Sequence, residues 1–372
     1  MSAPKQFNVG IIGYGLSAKV FHIPFIALTP TLNLHSIVQR SPVSGSNSAP
    51  EDYPTLKHHT SPEPLVADPE VDVIIICTPP DTHYPLARSA LLNNKHVLCE
   101  KPFIPSSTEA DELAALARQQ NRVLCVYQNR RWDSDFLTVQ SLLREGTLGR
   151  VVEFETHFDR LRLAKPAGTW KSSLRITQAG GALYDLGSHL LDQVFVLFGM
   201  PTGVTGKLIN QREGRIVNGD GTEEQEPDSV TAVLSYKETG LLVYVRIGVA
   251  SVESKQPRFW VRGTKASYHK SGLDPQEDWL RAGGKATDAK FGKEAEERYG
   301  KLCVLTEEGK VEERVCPTVE PETYLRFYEL FAKSLTSGKE EDVPVPAAQA
   351  AQVLRIIEAV RESAKTGKEV AP

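Results

Sequence analysis

Glycine spacing in the stretch FNVGIIGYGLSAKVFHIPFIAL, residues 7–28, is suited to holding phosphate. An apolar, β-branched run from Phe7 to Ile12 is followed by Gly13, Tyr14, Gly15, Leu16, Ser17 and Ala18, and then by residues with helical spacing. In such a strand, turn and helix, Gly13 permits the turn and Gly15 removes the Cβ that would keep a pyrophosphate from the backbone. Ala18 lets the helix lie close to the strand. The phosphates would rest on the unsatisfied N–H groups and the positive dipole end of the new helix. These six residues are expected to bind a dinucleotide; a plain strand turn is the structural alternative. The next strand, Leu34 to Gln39, ends in Arg40 and Ser41, with no acid before Glu51. A unit selective for NAD would place a carboxylate there for the ribose 2′-hydroxyl. A guanidinium instead grips a 2′-phosphate and a hydroxyl donates to it. NADP(H) is the expected cofactor and NAD the less favoured one, against the alternative of a solvated Arg40.

Other elements must bring further polar groups to the same place. Val71 to Cys77 is a nearly continuous β-branched run, as in a parallel strand buried on both faces. It ends in Thr78, Pro79 and the rest of TPPDTH, up to His83. A helix near Pro85 to Asn93 leads to a strand, His96 to Cys99, that ends in Glu100, Lys101 and Pro102. After a helix over Ser107 to Gln120, strand Arg122 to Val126 is followed by QNRRW. Three successive strand ends thus point polar residues at one crevice, where ligands lie in a doubly wound sheet. From Trp132 the pattern changes. A helix to about Glu145 precedes strands at Val151 to Phe158, Gly203 to Asn210, Ser229 to Tyr236, Leu241 to Gly248 and Arg258 to Val261, which predict an antiparallel or mixed sheet. Within this half a helix spans Gly180 to Phe198, residues 211–228 and 281–301 are exposed loops, and helices over Glu320 to Leu335 and Ala347 to Lys365 close the chain.

At 372 residues the chain exceeds the ~250–300 at which one core stops growing, so two domains are expected, 1–130 and 131–372. Its 40% hydrophobic and 24% charged content is that of a globular protein. A net charge of -4, with no dense basic stripe, argues against nucleic acid. Neither a signal sequence nor an apolar run of about 18 residues is seen, so a cytoplasmic protein without a membrane partner is expected. Cys77, Cys99, Cys125, Cys303 and Cys316 lack metal-ligand spacing and read as reduced thiols. No metal is expected.

GIIGYG, TPPDTH, EKP, QNRRW and GGALYDLGSHLLD, in this order, resemble the Gfo/Idh/MocA oxidoreductases over nearly the whole chain. NRRWDSDFLT and GLDPQED resemble its NADP-dependent scyllo-inositol dehydrogenase subgroup. The resemblance implies an α/β protein: an N-terminal Rossmann dinucleotide-binding domain and a C-terminal α/β domain with an open-faced, largely antiparallel sheet used in homodimers or larger homo-oligomers. It implies hydride transfer between NAD(P) and a sugar, polyol or cyclitol hydroxyl or ketone. The catalytic lysine falls on Lys101, and the DxGxH pattern on Asp185, Gly187 and His189. Four residues apart on the expected helix, Asp185 and His189 share one face. His189 would transfer the proton, Lys101 would bind the reacting oxygen, and Asp185 would anchor a neighbouring hydroxyl. Glu100 and Pro102 complete the EKP segment at the cofactor. Thr78, Pro79 and His83 would border the adenosine diphosphate or ribose, with Asn129 near the nicotinamide ribose and Trp170 walling the nicotinamide. Arg130, His157, Asp159, Arg160 and Tyr184 would contact substrate. The inositol-dehydrogenase relatives often carry LAPH where this chain has LGSH, which bears on substrate identity. A non-catalytic dinucleotide-sensing regulator and a dihydrodiol dehydrogenase are the alternative readings.

Overall fold

The computed structural model describes residues 6–164, 173–219 and 226–372. They form two compact units. The first runs to Asn129 and takes in Glu277–Phe291 and Thr323–Ala351; the second comprises Arg130–Gln276, Gly292–Glu322 and Gln352–Pro372. The chain therefore crosses between units more often than a single division near residue 130 would require.

In the first unit, β1 (Phe7–Ile12), β2 (Leu32–Val38), β3 (Lys57–His59), β4 (Val73–Ile76), β5 (His96–Cys99) and β6 (Leu124–Val126) form a parallel sheet in the order β3-β2-β1-β4-β5-β6. The order reverses between β1 and β4, the switch point at which such sheets bind ligands. All four residues of β4 are buried, as its unbroken β-branched run demands. β3 is only KHH, too short and polar to stand out from the loop around it. The late segments pack into this unit: Val126 N–H donates to the Val345 carbonyl at 3.0 Å, and Phe25 stacks on Tyr328 with ring centroids 5.8 Å apart. The helix after β1 is irregular, since Ala18–His22 forms a π turn before the α-helix Ile23–Leu28.

The second unit is built on a nine-stranded sheet. Its strands are β7 (Val151–Asp159), β8 (Gly203–Asn210), β9 (Arg215–Val217), β10 (Ser229–Tyr236), β11 (Leu241–Gly248), β12 (Pro257–Gly263), β13 (Ala266–Ser271), β14 (Gly300–Leu305) and β15 (Val311–Cys316). They lie in the order β15-β14-β13-β12-β7-β11-β10-β8-β9, antiparallel except for β7 beside β11. Phe154, Thr156 and Phe158 of β7 are buried on one face, with Phe154 edge-on to Phe198 of the helix Gly187–Phe198 at 5.3 Å. The opposite face carries Glu155 and His157, and beside them Leu242 and Trp260 stay 39% and 41% exposed. This is the open face that the family resemblance implies. Strands β9 and β13 to β15 were not anticipated: β9 is three residues inside an expected loop, and five of the six residues of β15 are exposed, so neither carries a core-facing alternation.

Buried charge fastens this unit internally. Arg258, 1% exposed, donates from Nε to Asp135 at 2.8 Å and from a terminal nitrogen to Gln193 at 2.8 Å. Asp274 accepts the N–H and hydroxyl of Ser134 at 2.7 and 2.9 Å and the Gln276 N–H at 2.9 Å. The segments NRRWDSD and GLDPQ are thereby tied together. Burial, reinforced by the charge of Asp135, pushes Asp274 up to about 6. Burial likewise pushes Glu294 up to about 7, although Lys270 lies 2.9 Å away. Both folded values exceed the unfolded ones. From about pH 4 to 7 the folded chain therefore holds protons that the unfolded chain releases, and stability falls as the pH rises through that window. Glu294→Gln should reduce the loss of stability between pH ~5 and ~7.5 by about 1–2 kcal/mol in urea unfolding. Equal losses in variant and wild type would contradict the assignment.

Candidate functional site

Two glycines shape the turn after β1 in different ways. Gly13 has φ +100°, and a Cβ there would come within 3.0 Å of the Cys77 carbonyl oxygen, so only glycine fits. A Cβ on Gly15 would meet nothing within 4 Å, which leaves the backbone open to an approaching phosphate. Lys19 N–H returns to the Gly15 carbonyl at 3.2 Å to start the helix. The turn thus fits a dinucleotide pyrophosphate, with Leu16 53% exposed beside it and Ala18 buried.

Several side chains expected at the cofactor have other partners. Tyr14 is buried and donates to Asp52 at 2.6 Å; burial and that carboxylate push its phenol well up. Its side chain belongs to the wall of the unit, leaving its backbone for the turn. The Ser17 hydroxyl donates to Glu100, which follows β5, two places along the sheet from β1. His83, expected at the adenosine diphosphate or ribose, is 1% exposed. Its ring spans the Thr78 carbonyl at 2.8 Å and the Phe103 carbonyl at 2.8 Å. It is a staple between the TPP and EKP loops, and burial lowers its pKa. Thr78 pairs with Thr82 at 2.6 Å, and Pro79 precedes the short helical turn Pro80–Thr82.

Arg40 and Ser41 are exposed just beyond β2. Sequence reasoning missed what fixes them: Gln39 donates to the Asn47 carbonyl at 2.8 Å and accepts the Ala49 N–H at 2.7 Å, closing the loop that carries both. Glu100 and half-buried Lys101 follow β5, and the Lys101–Pro102 peptide is cis. Asn129 is 8% exposed, at the start of the turn Asn129–Trp132.

The second unit holds Asp185 and His189. The expected single helix is two, Gly181–Asp185 and Gly187–Phe198, broken at Leu186. Asp185 closes one piece and His189 lies in the first turn of the other, so the shared-face argument for an uninterrupted helix is corrected. The glycine pair before them is required by contact: a Cβ on Gly180 would stand 2.1 Å from the Leu174 carbonyl oxygen, and Gly181 has φ +79°. His189 is 6% exposed, and Asp185 is half-buried.

Of the expected substrate contacts, two are internal. Tyr184 is fully buried and its hydroxyl accepts from Arg361 at 3.2 Å, which directs it into the packing beneath the helix. Arg130 is 5% exposed, ion-paired to Asp133 at 3.0 Å and set over the Phe158 ring; it is a buried structural charge. His157 is half-buried between Asp159 at 2.9 Å and Glu155 at 3.1 Å, and the Arg160 guanidinium covers Phe158. Trp170 lies outside the described residues.

Arg131, beside these, donates to both oxygens of Asp192 at 2.8 and 2.7 Å, locking the QNRRW segment to the helix of His189. Removing one partner of a nearly buried pair leaves an uncompensated charge. Asp192→Ala should cost about 3–5 kcal/mol in chemical unfolding, whereas the double variant Arg131→Met, Asp192→Leu should recover most of it. A loss under about 1 kcal/mol for the single variant would show the pair to be dispensable.

Comparison with known proteins gives a consistent result. Residues 7–128 match the model for an oxidoreductase family's NAD-binding Rossmann fold, and residues 140–371 match its C-terminal alpha/beta domain. The chain is 40% identical to the uncharacterized oxidoreductase YdgJ of Escherichia coli, over 97% of each chain. It is 34% identical to the scyllo-inositol 2-dehydrogenase (NADP(+)) IolW of Bacillus subtilis, over 98% of this chain and 95% of that one. The solved structure of yvaA from Bacillus subtilis superposes with a TM-score of 0.87 at 33% identity, covering 99% of this chain and all of that one.

Proposed function

Because the chain belongs to the Gfo/Idh/MocA oxidoreductase family, we propose that it transfers hydride between NADP(H) and a secondary hydroxyl or ketone of a sugar or cyclitol, inositols included. The observation that carries this reading is the first unit's arrangement: the open Gly13–Ala18 turn and the Lys101 loop follow β1 and β5 of one parallel sheet, with Glu100 bonded to Ser17 of that turn. Relatedness to a scyllo-inositol 2-dehydrogenase over nearly the full length supports the substrate class. A bound nicotinamide would supply the hydride acceptor or donor. The protein's part is then to hold the alcohol and move its proton. Lys101 would place its ammonium on the reacting oxygen and steady the negative charge that develops there. His189 would take or return the hydroxyl proton, which suits an imidazole near neutral pH. Asp185 would accept from an adjacent hydroxyl and so fix which carbon faces the hydride. Arg40 and Ser41, exposed beyond β2, would hold the 2′-phosphate.

Lys101→Met should lower turnover by roughly a thousandfold while the affinity for NADPH, followed by its fluorescence, changes little; turnover near the wild-type rate would remove the lysine from the reaction. Arg40→Asp should weaken NADPH binding by tenfold or more and move the preference toward NADH. An unchanged cofactor ratio would show that the 2′-phosphate is held elsewhere. Substrate class is tested by following NADP reduction and NADPH oxidation across inositols, aldoses and keto sugars, and no activity on any of them would overturn it.

A further inference from the structure

The bond between Ser17 and Glu100 continues into a chain of buried groups, His22 and Tyr328, to which the roles above give no part. Glu100 Oε1 accepts from Ser17 and from His22 Nε2 at 3.0 Å, and Oε2 accepts the Lys101 backbone N–H at 3.0 Å. His22 is fully buried, its ring tilted against Tyr127 with centroids 4.5 Å apart, and its Nδ1 lies 2.5 Å from the Tyr328 hydroxyl. Burial drives the Tyr328 phenol well up, so the hydroxyl keeps its proton and donates to Nδ1. Nε2 then carries the ring proton and presents it to the carboxylate. Burial alone would raise Glu100, but the bonds from His22 and Ser17 and the charge of Lys101 hold its carboxyl below the usual value. The thiols nearby, Cys77 and Cys99, are driven up by burial and stay neutral.

The irregular helix start has a purpose in this arrangement. Ser17 and His22 are five residues apart, a separation that a regular α-helix turns through well over a third of a circle. The π turn at Ala18–His22 bonds i to i+5, which brings both side chains round to one oxygen of Glu100. We propose that His22 and Tyr328 are positioning residues for Lys101: with Ser17 they hold the Glu100 carboxylate against the Lys101 backbone N–H and so fix the loop that carries the lysine. The same oxygen links the dinucleotide turn to the lysine loop. This deepens the reading of Lys101 as the group that binds the reacting oxygen, and rests on it.

The test is acylation of Lys101 in the full-length protein without dinucleotide at pH ~8, followed by peptide mass spectrometry, with exposed Lys255 as internal reference. Glu100→Gln should accelerate labelling of Lys101 relative to Lys255 severalfold, because a loop released from its anchor exposes the half-buried amine more often. Tyr328→Phe, which keeps the packing, should give a smaller rise of the same sign, and His22→Gln, which keeps a donor for Glu100, should stay nearer the wild type than His22→Phe. Melting curves verify that each variant is folded; if Glu100→Gln is not, Tyr328→Phe decides. A Lys101 to Lys255 ratio unchanged in folded variants, or lower melting temperatures with no change in that ratio, would overturn the proposal and leave a packing role only. Absence of NADPH binding or of turnover, measured separately, would sink the proposed function without altering this readout.

Discussion

A carboxylate withdrawn from water must be met by donors, and Glu100 is the point on which that requirement falls in the first unit. Its partners come from the helix after β1, from the chain following β5, and through His22 from the helix Thr323–Ser337. None of these could shift far without leaving a buried anion short of a bond. The turn that would receive phosphate and the lysine that would meet substrate oxygen are held in register by electrostatics, within a sheet whose own hydrogen bonds fix only the strands.

The second unit answers the same requirement with paired charges. Arg258 with Asp135, Lys270 with Glu294 and Arg131 with Asp192 are all buried or nearly so. Their strength lies less in net stabilisation than in what happens when one partner is lost. Asp274, accepting from Ser134 and Gln276, shows how a segment far along the sequence sets the start of the helix Ser134–Arg144. The polar motifs NRRWDSD and GLDPQED are in this respect one structural piece.

Much of the architecture was legible because the signals were local. The bounds of β8, β10 and β11 follow from clean alternation, and β4 from its β-branched run. The glycine turn was readable because the backbone demand at Gly13 has a single side-chain solution. What could not be read depends on partners distant in sequence. Tyr184 looks like a pocket residue until Arg361 is seen to meet its hydroxyl, and His83 looks like a ligand contact until two carbonyls enclose its ring. The break at Leu186 and the π turn at Ala18–His22 leave no mark in the spacing of apolar residues. His22 stood in plain view in the opening stretch, yet its meaning lies in Tyr328, 306 positions later.

That distance has a consequence for how the chain is made. The first sheet is complete once residue 126 has been synthesised, but Glu277–Phe291 and Thr323–Ala351, which belong to the same unit, are made more than a hundred residues later. Until then Phe25 and His22 have no aromatic cover from Phe291 or Tyr328. The apolar surface that these late segments cover therefore has no partner until they have been made.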